Sequence, residues 1–369
     1  MAAAHELRNV LANDEITLIA SGDRFYMGFA KLWDLAGVRP LSEGTAKLAD
    51  LSRRGIVFRQ AEITGIDPED RHVETSHGGL NADAIVVALG ADPSPTHSSM
   101  LAGDGAFDLY DGRDLPGIRE ALGQIKDGSI LISILGAPFK CPPAPFEAAL
   151  IVDELLRRKG VRDHVRVAIS TPAPMTLPAA GPDASQYVAG HLGDRGIQLL
   201  TKHKVTGIDG GRRVARFENG SEFEFTIFLG VPASVVPAVV RASGLAGPSG
   251  WIEPDPHTLG TSFNRVYAVG DCTAIPTGTG QLPKAGVFAA EEGKVAARNI
   301  ASDLGKGEPS TFDGRGFCFL ELPGRRVAYV EGNWYAEGGP DVHLTEADEE
   351  QFRRKQEYER SRLEEWFGA

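Results

Sequence analysis

Short apolar runs alternate along the chain with segments of helical period. The run SILISIL at 129–135 is followed by a turn and by a helical pattern over 144–159. The same order recurs where the apolar run 265–269 and the turn Gly270–Asp271 precede a helical pattern over 285–303. Strands that alternate with helices form a mainly parallel sheet covered on both faces. The pattern therefore predicts a three-layer α/β fold.

Other elements follow from the same periodicities. The predicted helices are 1–15, 41–55, 114–125 and 184–195, the strands are 16–20, 82–95, 166–170 and 225–234, and antiparallel ribbons cover 56–78 and 204–225. We expect the segment 225–234 to return the chain to its first region. The tail, 307–369, predicts a small ribbon and then a charged helix that begins after Thr345, with Asp348 three residues further on.

Composition narrows the class of protein. The chain has 369 residues, which predicts two domains and an appendage. Its 44 glycines suit a fold with many tight βα turns, because glycine is used more often here than in typical proteins. A net charge of −12 without a dense basic run argues against nucleic-acid binding. No apolar stretch could span a bilayer, so we expect a cytoplasmic protein whose membrane contact is at most peripheral, on the inner face.

The turn after the strand 129–135 has unusual chemistry. A dinucleotide-binding turn would read G-x-G-x-x-G, but this one contains Lys140, Cys141, Pro142, Pro143 and Pro145. Proline removes backbone donors, so a nicotinamide nucleotide should bind poorly here. Cys141 lies at a helix N-terminus beside a lysine, and both features are expected to lower its pKa. The alternative is a buried cysteine that packs as a small apolar residue.

Three motifs carry a resemblance to a known family. ADAIVVALGA (82–91) and RVYAVGDCTAIP (265–276) resemble segments of the flavoproteins that have two dinucleotide-binding domains. KCPPAPFEAAL (140–150) resembles, more narrowly, sulfide:quinone oxidoreductase and the flavin subunit of sulfide dehydrogenase. The resemblance implies two Rossmann-like FAD/NAD(P)-binding domains and a small α+β tail. The implied segments are 1–106 and 235–306 for FAD, 107–234 for the second domain, and 307–369 for the tail.

The resemblance also implies a cofactor, FAD, and the residues that hold it. Asp271 is expected to bond the ribityl chain or the pyrophosphate. No cysteine precedes Cys141, so we expect the flavin to be bound non-covalently. The first strand and the glycine loop of the FAD domain would lie upstream of Met1, so we expect FAD binding by this chain to be weak. The other expected cofactor-binding residues are Ser21, Leu89, Gly90, Gly270, Leu282, Pro283, Lys284 and Ala285.

For catalysis the resemblance pairs Cys141 with Cys318, which it places opposite the first cysteine across the flavin. Hydrosulfide would attack a disulfide or trisulfide between them, and two electrons would pass to FAD and then to a quinone or another acceptor. Glu147 could hold a proton, and Lys284 could stabilise negative charge on the reduced flavin. The alternatives are a solvated glutamate, a surface lysine and, for Cys318, an ordinary strand cysteine. Cys272 is interpreted as a packing residue.

Two other functions stay open. One is an NAD(P)H-dependent quinone or disulfide reductase, against which the proline turn speaks. The other is a truncated flavoprotein homologue without catalytic activity. We expect no metal site. The C-terminal helix should dock on the protein's own body or on the second copy of a homodimer rather than on a membrane, because its polar face is mixed in charge.

Overall fold

The computed structural model describes residues 1–278 and 280–368. The α-helices of this part are α1 (Ala2–Val10), α2 (Ala30–Ala36), α3 (Pro95–Met100), α4 (Leu115–Gln124), α5 (Ala144–Lys159), α6 (Gly181–Asp194), α7 (Ala238–Ala242), α8 (Gly286–Asp303) and α9 (Glu349–Phe367). Short 3₁₀ turns occupy Leu41–Gly44, Leu48–Arg54, Arg162–His164, Pro178–Ala180 and Gly270–Cys272.

The strands of the first half of the chain are β1 (Thr17–Ala20), β2 (Arg24–Tyr26), β3 (Thr45–Lys47), β4 (Val57–Gln60), β5 (Ile63–Asp67), β6 (His72–Thr75), β7 (Gly78–Asn81), β8 (Ile85–Val87), β9 (Asp92–Pro93), β10 (Ala106–Asp108), β11 (Gly128–Ile134) and β12 (Val165–Thr171). Those of the second half are β13 (Gln198–Thr201), β14 (Val205–Asp209), β15 (Val214–Phe217), β16 (Glu222–Glu224), β17 (Ile227–Val231), β18 (Ser234–Val235), β19 (Val266–Ala268), β20 (Pro276–Thr277), β21 (Gly280–Gln281), β22 (Arg315–Leu322), β23 (Arg326–Asn333) and β24 (Asp341–Leu344).

The largest sheet is five-stranded, fully parallel and ordered β10-β17-β11-β12-β13. Its central strand β11 is buried from Ser129 to Ile134, because helices cover both faces of a parallel sheet. Helix α5 packs against it through a buried face that includes Phe146 and Leu150. The α/β class and the helix at 144–159 are confirmed, and the predicted helix 184–195 begins three residues earlier, at Gly181.

The first region contains two separate parallel pairs, β1 with β4 and β8 with β19. Helix α8 packs against α1 so closely that a Cβ on Gly293 would lie 3.0 Å from the backbone nitrogen of Ala3. Glycine at 293 therefore lets the two helices approach each other. The carboxyl ends of β8 and β19 lie side by side, because Val87 and Ala268 are register partners.

Two predictions for this region are wrong, and three short helices, α2, α3 and α7, were missed. Residues 41–55 form two 3₁₀ turns on either side of β3 rather than one helix. The reason is that β3 pairs with β2, and tertiary pairing overrides helix propensity. The predicted ribbon 56–78 is also divided: β4 joins β1 in parallel, and only β5, β6 and β7 are antiparallel. Among the missed helices, α2 carries Trp33, which is fully buried.

The predicted return segment 225–234 contributes to two different sheets. Its main part is β17, which belongs to the five-stranded sheet between β10 and β11. The return to the first region is made just afterwards, where β18 pairs with β9. The chain therefore returns to the first α/β region at a short antiparallel pair of strands.

The tail forms the antiparallel sheet β22-β23-β24 and the long helix α9. Asp348 is the N-cap of α9, since its side chain accepts a hydrogen bond of 2.7 Å from Gln351 N. Thr345, after which we expected the helix to begin, instead accepts a hydrogen bond of 3.0 Å from Tyr329 N.

Three aromatic residues of α9, Phe352, Trp366 and Phe367, are buried. Helix α9 therefore docks on its own chain, one of the two expected sites. No helix in the described residues is long and apolar enough to cross a membrane.

Candidate active site

The cysteine turn before α5 touches the segment that leads into α8. The backbone N–H of Cys141 donates a hydrogen bond of 2.8 Å to the carbonyl oxygen of Lys284. The two residues are far apart in the sequence and belong to different α/β regions. The structure therefore brings the predicted catalytic cysteine to the predicted cofactor segment.

The backbone of Cys141 adopts a conformation that is costly for a residue with a Cβ. Its φ is +48°, in the left-handed region. This region costs a non-glycine residue about 1–2 kcal/mol. The carbonyl of Cys141 accepts hydrogen bonds from Ala144 N at 3.0 Å and from the Tyr110 hydroxyl at 3.1 Å. Strain that the surroundings hold in place is concentrated at functional sites. Six other non-glycine residues of the described chain also have a positive φ, so this conformation is compatible with a functional role for Cys141 but does not establish one.

The electrostatic surroundings of Cys141 differ from the expectation. Burial raises the pKa of its thiol well above the usual value, and Cys318 and Glu147 raise the pKa further, whereas Lys355 lowers it. The expected decrease of the pKa, from the helix end and Lys140, is therefore wrong for this state of the protein. The reason is desolvation, because the sulfur lies against the core between α5 and the tail sheet.

Cys318 lies on β22, opposite Val330 of β23, and packs against the same core cluster as Cys141. Both thiols are free. Burial, and then Glu147, raise the pKa of Cys318 to about 12. Negative charge on Cys318 raises the pKa of Cys141, so the first thiol lies within the electrostatic field of the second. The fold thus brings together two cysteines from distant parts of the sequence.

A buried charge network adjoins the two thiols. Glu147 is 1% exposed, and one of its carboxylate oxygens accepts a hydrogen bond of 2.6 Å from Glu321 N. Burial raises the pKa of Glu147 to about 7. Lys355 of α9 is also 1% exposed, with its ammonium 2.7 Å from the Glu321 carboxylate and 3.8 Å from that of Glu147. Glu147 is therefore not the solvated first-turn glutamate of the alternative interpretation.

Lys355 and Glu321 were missed by the sequence analysis. Trp33 donates from its indole N–H to the Glu321 carboxylate at 2.8 Å, so α2 also anchors this network. A signal was present for Lys355. It follows Phe352 by three positions, and a charged residue on the apolar face of a helix points to a buried partner.

Two predicted cofactor segments meet at the carboxyl ends of β8 and β19. Leu89 and Gly90 follow β8, and Gly270 and Asp271 follow β19. Burial raises the pKa of Asp271, and the charges of Lys140 and Lys284 oppose that effect. Within the described residues the Asp271 carboxylate accepts no hydrogen bond and forms no ion pair. It is thus a half-buried acceptor with no protein partner in this part of the chain.

Glu292 of α8 is a further buried acid that was not predicted. Its carboxylate accepts a hydrogen bond of 2.6 Å from Gly270 N. Burial raises the pKa of Glu292 to about 7, and the charge of Asp271 adds to the shift. Glu292 therefore fixes the turn that presents Asp271. Its position on the buried face of a long amphipathic helix was the available signal.

Lys284 is buried, with 7% of its surface exposed, so the surface-lysine alternative is wrong. Its ammonium donates hydrogen bonds to the carbonyl oxygens of Asp271, at 2.7 Å, and Thr273, at 2.9 Å. It also lies 3.6 Å from the centre of the Trp251 ring. Burial lowers the pKa of Lys284 to about 8. In this structure the ammonium therefore holds the Asp271 turn in place.

The entrance to α8 completes the cofactor side. Leu282, Pro283 and Ala285 lie beside the Asp271 turn and line a small cleft with it. Ala285 is the N-cap of α8, and no side chain caps the first turn of this 18-residue helix. Uncapped N–H groups beside an unpartnered carboxylate suit a ligand that has both hydroxyl donors and an electron-rich edge. The donor and acceptor set thus fits FAD.

Ser21 and Cys272 lie apart from these groups. Ser21 is exposed after β1, and its carbonyl accepts a hydrogen bond of 3.2 Å from the Gln60 side chain. It belongs to a different strand pair from the other predicted cofactor residues. Cys272 is fully buried, with its sulfur 3.3 Å from the Val269 carbonyl and 3.5 Å from that of Val87. Its surroundings are those of a packing residue, as the sequence predicted.

Parallel α/β regions that bring a cysteine turn against an acid-bearing turn are the arrangement expected of the two-dinucleotide-domain class. The family of pyridine nucleotide-disulphide oxidoreductases matches residues 146–293. The mitochondrial sulfide:quinone oxidoreductase of Mus musculus is 21% identical over 350 residues, which cover 90% of this chain and 76% of that protein. The type II NADH:quinone oxidoreductase of Staphylococcus aureus is 26% identical over 78% of this chain and 75% of its own.

Among solved structures, the sulfide:quinone oxidoreductase of Aquifex aeolicus superposes with a TM-score of 0.88 at 20% identity, over 100% of this chain and 89% of that one. This likeness confirms the predicted fold class. The chain is similar to sulfide:quinone oxidoreductases and matches the pyridine nucleotide-disulphide oxidoreductase family over residues 146–293, so the resemblance seen in the sequence is confirmed. The predicted class of enzyme, an FAD-dependent oxidoreductase, is confirmed.

Proposed function

We propose that the protein oxidises sulfide or persulfide sulfur through Cys141 and Cys318 and passes the electrons through FAD to a quinone or another acceptor. The observation that carries the proposal is the hydrogen bond from Cys141 N to Lys284 O, which joins the cysteine turn to the cofactor turn. The position of Cys141 within the field of the second thiol supports a paired role.

FAD would be held by the Asp271 carboxylate, the backbone around Leu89 and Gly90, and the first turn of α8. Lys284 and Glu292 act through the backbone of the turn rather than on the ligand, since both bond to main-chain groups. When bound, FAD would accept the electron pair that the sulfur chemistry releases.

The sulfur step is a thiol–disulfide exchange. With Cys141 and Cys318 joined as a disulfide, hydrosulfide attacks one sulfur, the bond between the cysteines breaks, and a new S–S bond forms a persulfide. The other cysteine leaves as a thiolate. The sulfide sulfur loses two electrons, and the disulfide gains them.

Glu147 is the group beside the pair that can exchange a proton near neutral pH. Burial raises its pKa to about 7, and a general acid or base works best when its pKa lies near the working pH. Its carboxylate is oriented by Glu321 N and by Lys355. We assign Glu147 the role of holding the proton that the attacking sulfide releases.

For the acceptor, the structure offers a cavity of about 680 Å³ between α8 and the tail sheet. Phe317, Tyr329, Val287 and Phe312 line it together with charged side chains that include Lys294, Arg298 and Glu331. Phe317 is the neighbour of Cys318 on β22, and aromatic faces suit a planar quinone ring. Neither thiol lines this cavity, so we assign it to the acceptor rather than to the sulfur substrate.

The test is anaerobic bleaching of the flavin by sulfide in FAD-loaded protein. Cys141→Ser and Cys318→Ser should each abolish bleaching, and the double variant should be no worse, because either change breaks the same cycle. Cys272→Ser is the matched control and should remain within a few-fold of the parent protein. Bleaching of Cys318→Ser at the parental rate would exclude the paired mechanism.

An NADH-dependent quinone reductase is the second candidate, which the similarity to the type II NADH:quinone oxidoreductase favours. Pro142 and Pro143 oppose it, since they remove donors that a pyrophosphate needs. Stopped-flow mixing of the FAD-loaded protein with micromolar NADH separates the two candidates. Flavin reduction within seconds would exclude our interpretation of the proline turn.

A further inference from the structure

Two lysines converge on the Cys141 turn from separate elements. Lys31 projects from α2, and its ammonium donates a hydrogen bond to the carbonyl oxygen of Tyr110 and lies 5.6 Å from the centre of the Tyr110 ring. The hydroxyl of the same tyrosine donates to the carbonyl of Cys141 at 3.1 Å. Lys140 directly precedes Cys141. Tyr110 therefore ties the Lys31 ammonium to the cysteine turn.

The charges of these groups influence one another. Burial, and then the positive charge of Lys140, lower the pKa of Lys31, and negative charge on Asp108, Cys141 and Asp111 raises it. Lys140 also lowers the pKa of Asp271 on the cofactor side. Lys140 thus lies within the electrostatic reach of the thiol turn, Lys31 and the cofactor turn together.

Neither lysine forms an ion pair with an acid among the residues that the structure describes. Nearby Asp108 and Asp111 are occupied by other groups: Asp108 accepts from Tyr110 N at 2.7 Å, and Asp111 pairs with Arg113. Two like charges held together in a half-buried place repel each other. An anion bound between them would remove that repulsion.

Gly112 packs closely beside Lys31. A Cβ on Gly112 would lie 3.2 Å from the Tyr26 hydroxyl and 4.0 Å from Cδ of Lys31. A side chain at 112 would therefore press on Tyr26 and on the stem of Lys31, and the Tyr26 hydroxyl is a further donor at this rim.

We propose that Lys31 and Lys140 form an anion site in front of Cys141 that binds small sulfur anions, such as hydrosulfide and thiosulfate, and disfavours neutral reactants. The inference rests on the proposed function and deepens it, because it names the charge of the species that reaches the thiol. Its test needs only that Cys141 be accessible and reactive, and not that sulfide reduce the flavin.

The test compares alkylation of reduced Cys141 by anionic iodoacetate and by neutral iodoacetamide, followed by mass mapping of its peptide at low salt. Both reagents react with the thiolate, so the ratio of their two rates does not depend on the fraction of thiolate. The ratio therefore reports the local electrostatic field. A unit charge about 6 Å away changes the local concentration of an anion about threefold in water. Lys31→Gln and Lys140→Gln should therefore each lower the ratio about threefold. Lys126→Gln, at an exposed lysine after α4, is the matched control.

A second measurement uses thiosulfate as the probe. It should slow the reaction of Cys141 with iodoacetamide in the parent protein and lose that effect in the double lysine variant. Gly112→Val, which narrows the rim, should also reduce protection. The proposal is wrong if the two lysine variants keep the parental ratio, as the control does, or if thiosulfate protects all variants equally. A protein that shows the anion preference but no bleaching by sulfide would overturn the proposed function alone.

Discussion

The turn before α5 and the turn after β19 share one backbone feature but differ in the residue that adopts it. Each contains one residue in the left-handed region: Cys141, with φ +48°, and Gly270, with φ +74°. At the second turn glycine avoids the steric cost, and the neighbouring Asp271 is left available to a ligand. At the first turn a cysteine adopts this conformation despite its steric cost. The prolines of that turn lack the backbone N–H donors that a nucleotide would need.

The buried charges of the two turns also differ. Beside the cysteine turn, Lys355 balances Glu147 and Glu321. Beside the glycine turn, Glu292 bonds a backbone N–H, and Lys284 bonds backbone carbonyls. The cysteine turn thus adjoins a network of charged side chains, whereas at the glycine turn the charged side chains bond to the backbone of the turn. This difference is the basis for our proposal that sulfur chemistry and cofactor binding belong to different turns.

The largest expected effect comes from the cysteine side. Lys355→Met leaves Glu147 and Glu321 buried without their cation, which should lower the free energy of unfolding by about 3–5 kcal/mol at pH 8. Urea unfolding measures the change. Lys306→Met, which removes an exposed pair with Asp14, is the control and should cost less than about 1 kcal/mol. Equal losses in the two variants would contradict the assignment of Lys355 to the buried network.

On the glycine side, Glu292 makes stability depend on pH. Its pKa in the folded protein is about 7, above the usual 4.5, so the folded state holds the proton more tightly. This contribution is fully present below about pH 4.5 and is lost as the pH rises to about 7, by about 3 kcal/mol. Glu292→Gln cannot ionise, so the difference in unfolding free energy between variant and parent should shift in favour of the variant across that window. A constant difference throughout the window would refute the buried titration.

We expect FAD affinity to depend on the turn after β19 and hardly on the turn before α5. Asp271→Ala removes the unpartnered carboxylate and should weaken FAD binding at least tenfold, the value of a hydrogen bond to a charged group. Cys141→Ser should change the affinity less than twofold, because the thiol turn contacts the cofactor segment through its backbone. Titration of flavin fluorescence measures both. Equal losses would mean that the cysteine turn also binds FAD.

The smallest effect concerns the backbone. Cys141→Gly should be about 1 kcal/mol more stable than Cys141→Ala, because glycine has no steric cost in the left-handed region. Gly270→Ala should lose about 1 kcal/mol or more for the converse reason. Its Cβ would also lie 3.2 Å from that of Ala289. Thermal unfolding of the three variants is the measurement. If glycine at 141 gives no gain over alanine, the strain assigned to this turn is absent.

The sequence predicted the parallel α/β class and the bounds of α5, because helical and strand periods are local properties. It also singled out Cys141, Cys318, Glu147, Asp271 and Lys284. It predicted wrongly where pairing is decided at a distance, as for the helix at 41–55 and for β4. It missed α2, whose seven residues are fixed by the packing of Trp33.

The candidate residues and the turns that carry them were therefore identified from the sequence alone. The tertiary structure decided their surroundings. The pKa of Cys141 was expected to fall because only the helix end and Lys140 were visible along the chain, whereas burial raises it. Likewise Lys355 and Glu292 became part of the site only when α9 and α8 folded over it. Desolvation and charge pairing depend on every element around a group, and those neighbours come from distant parts of the chain.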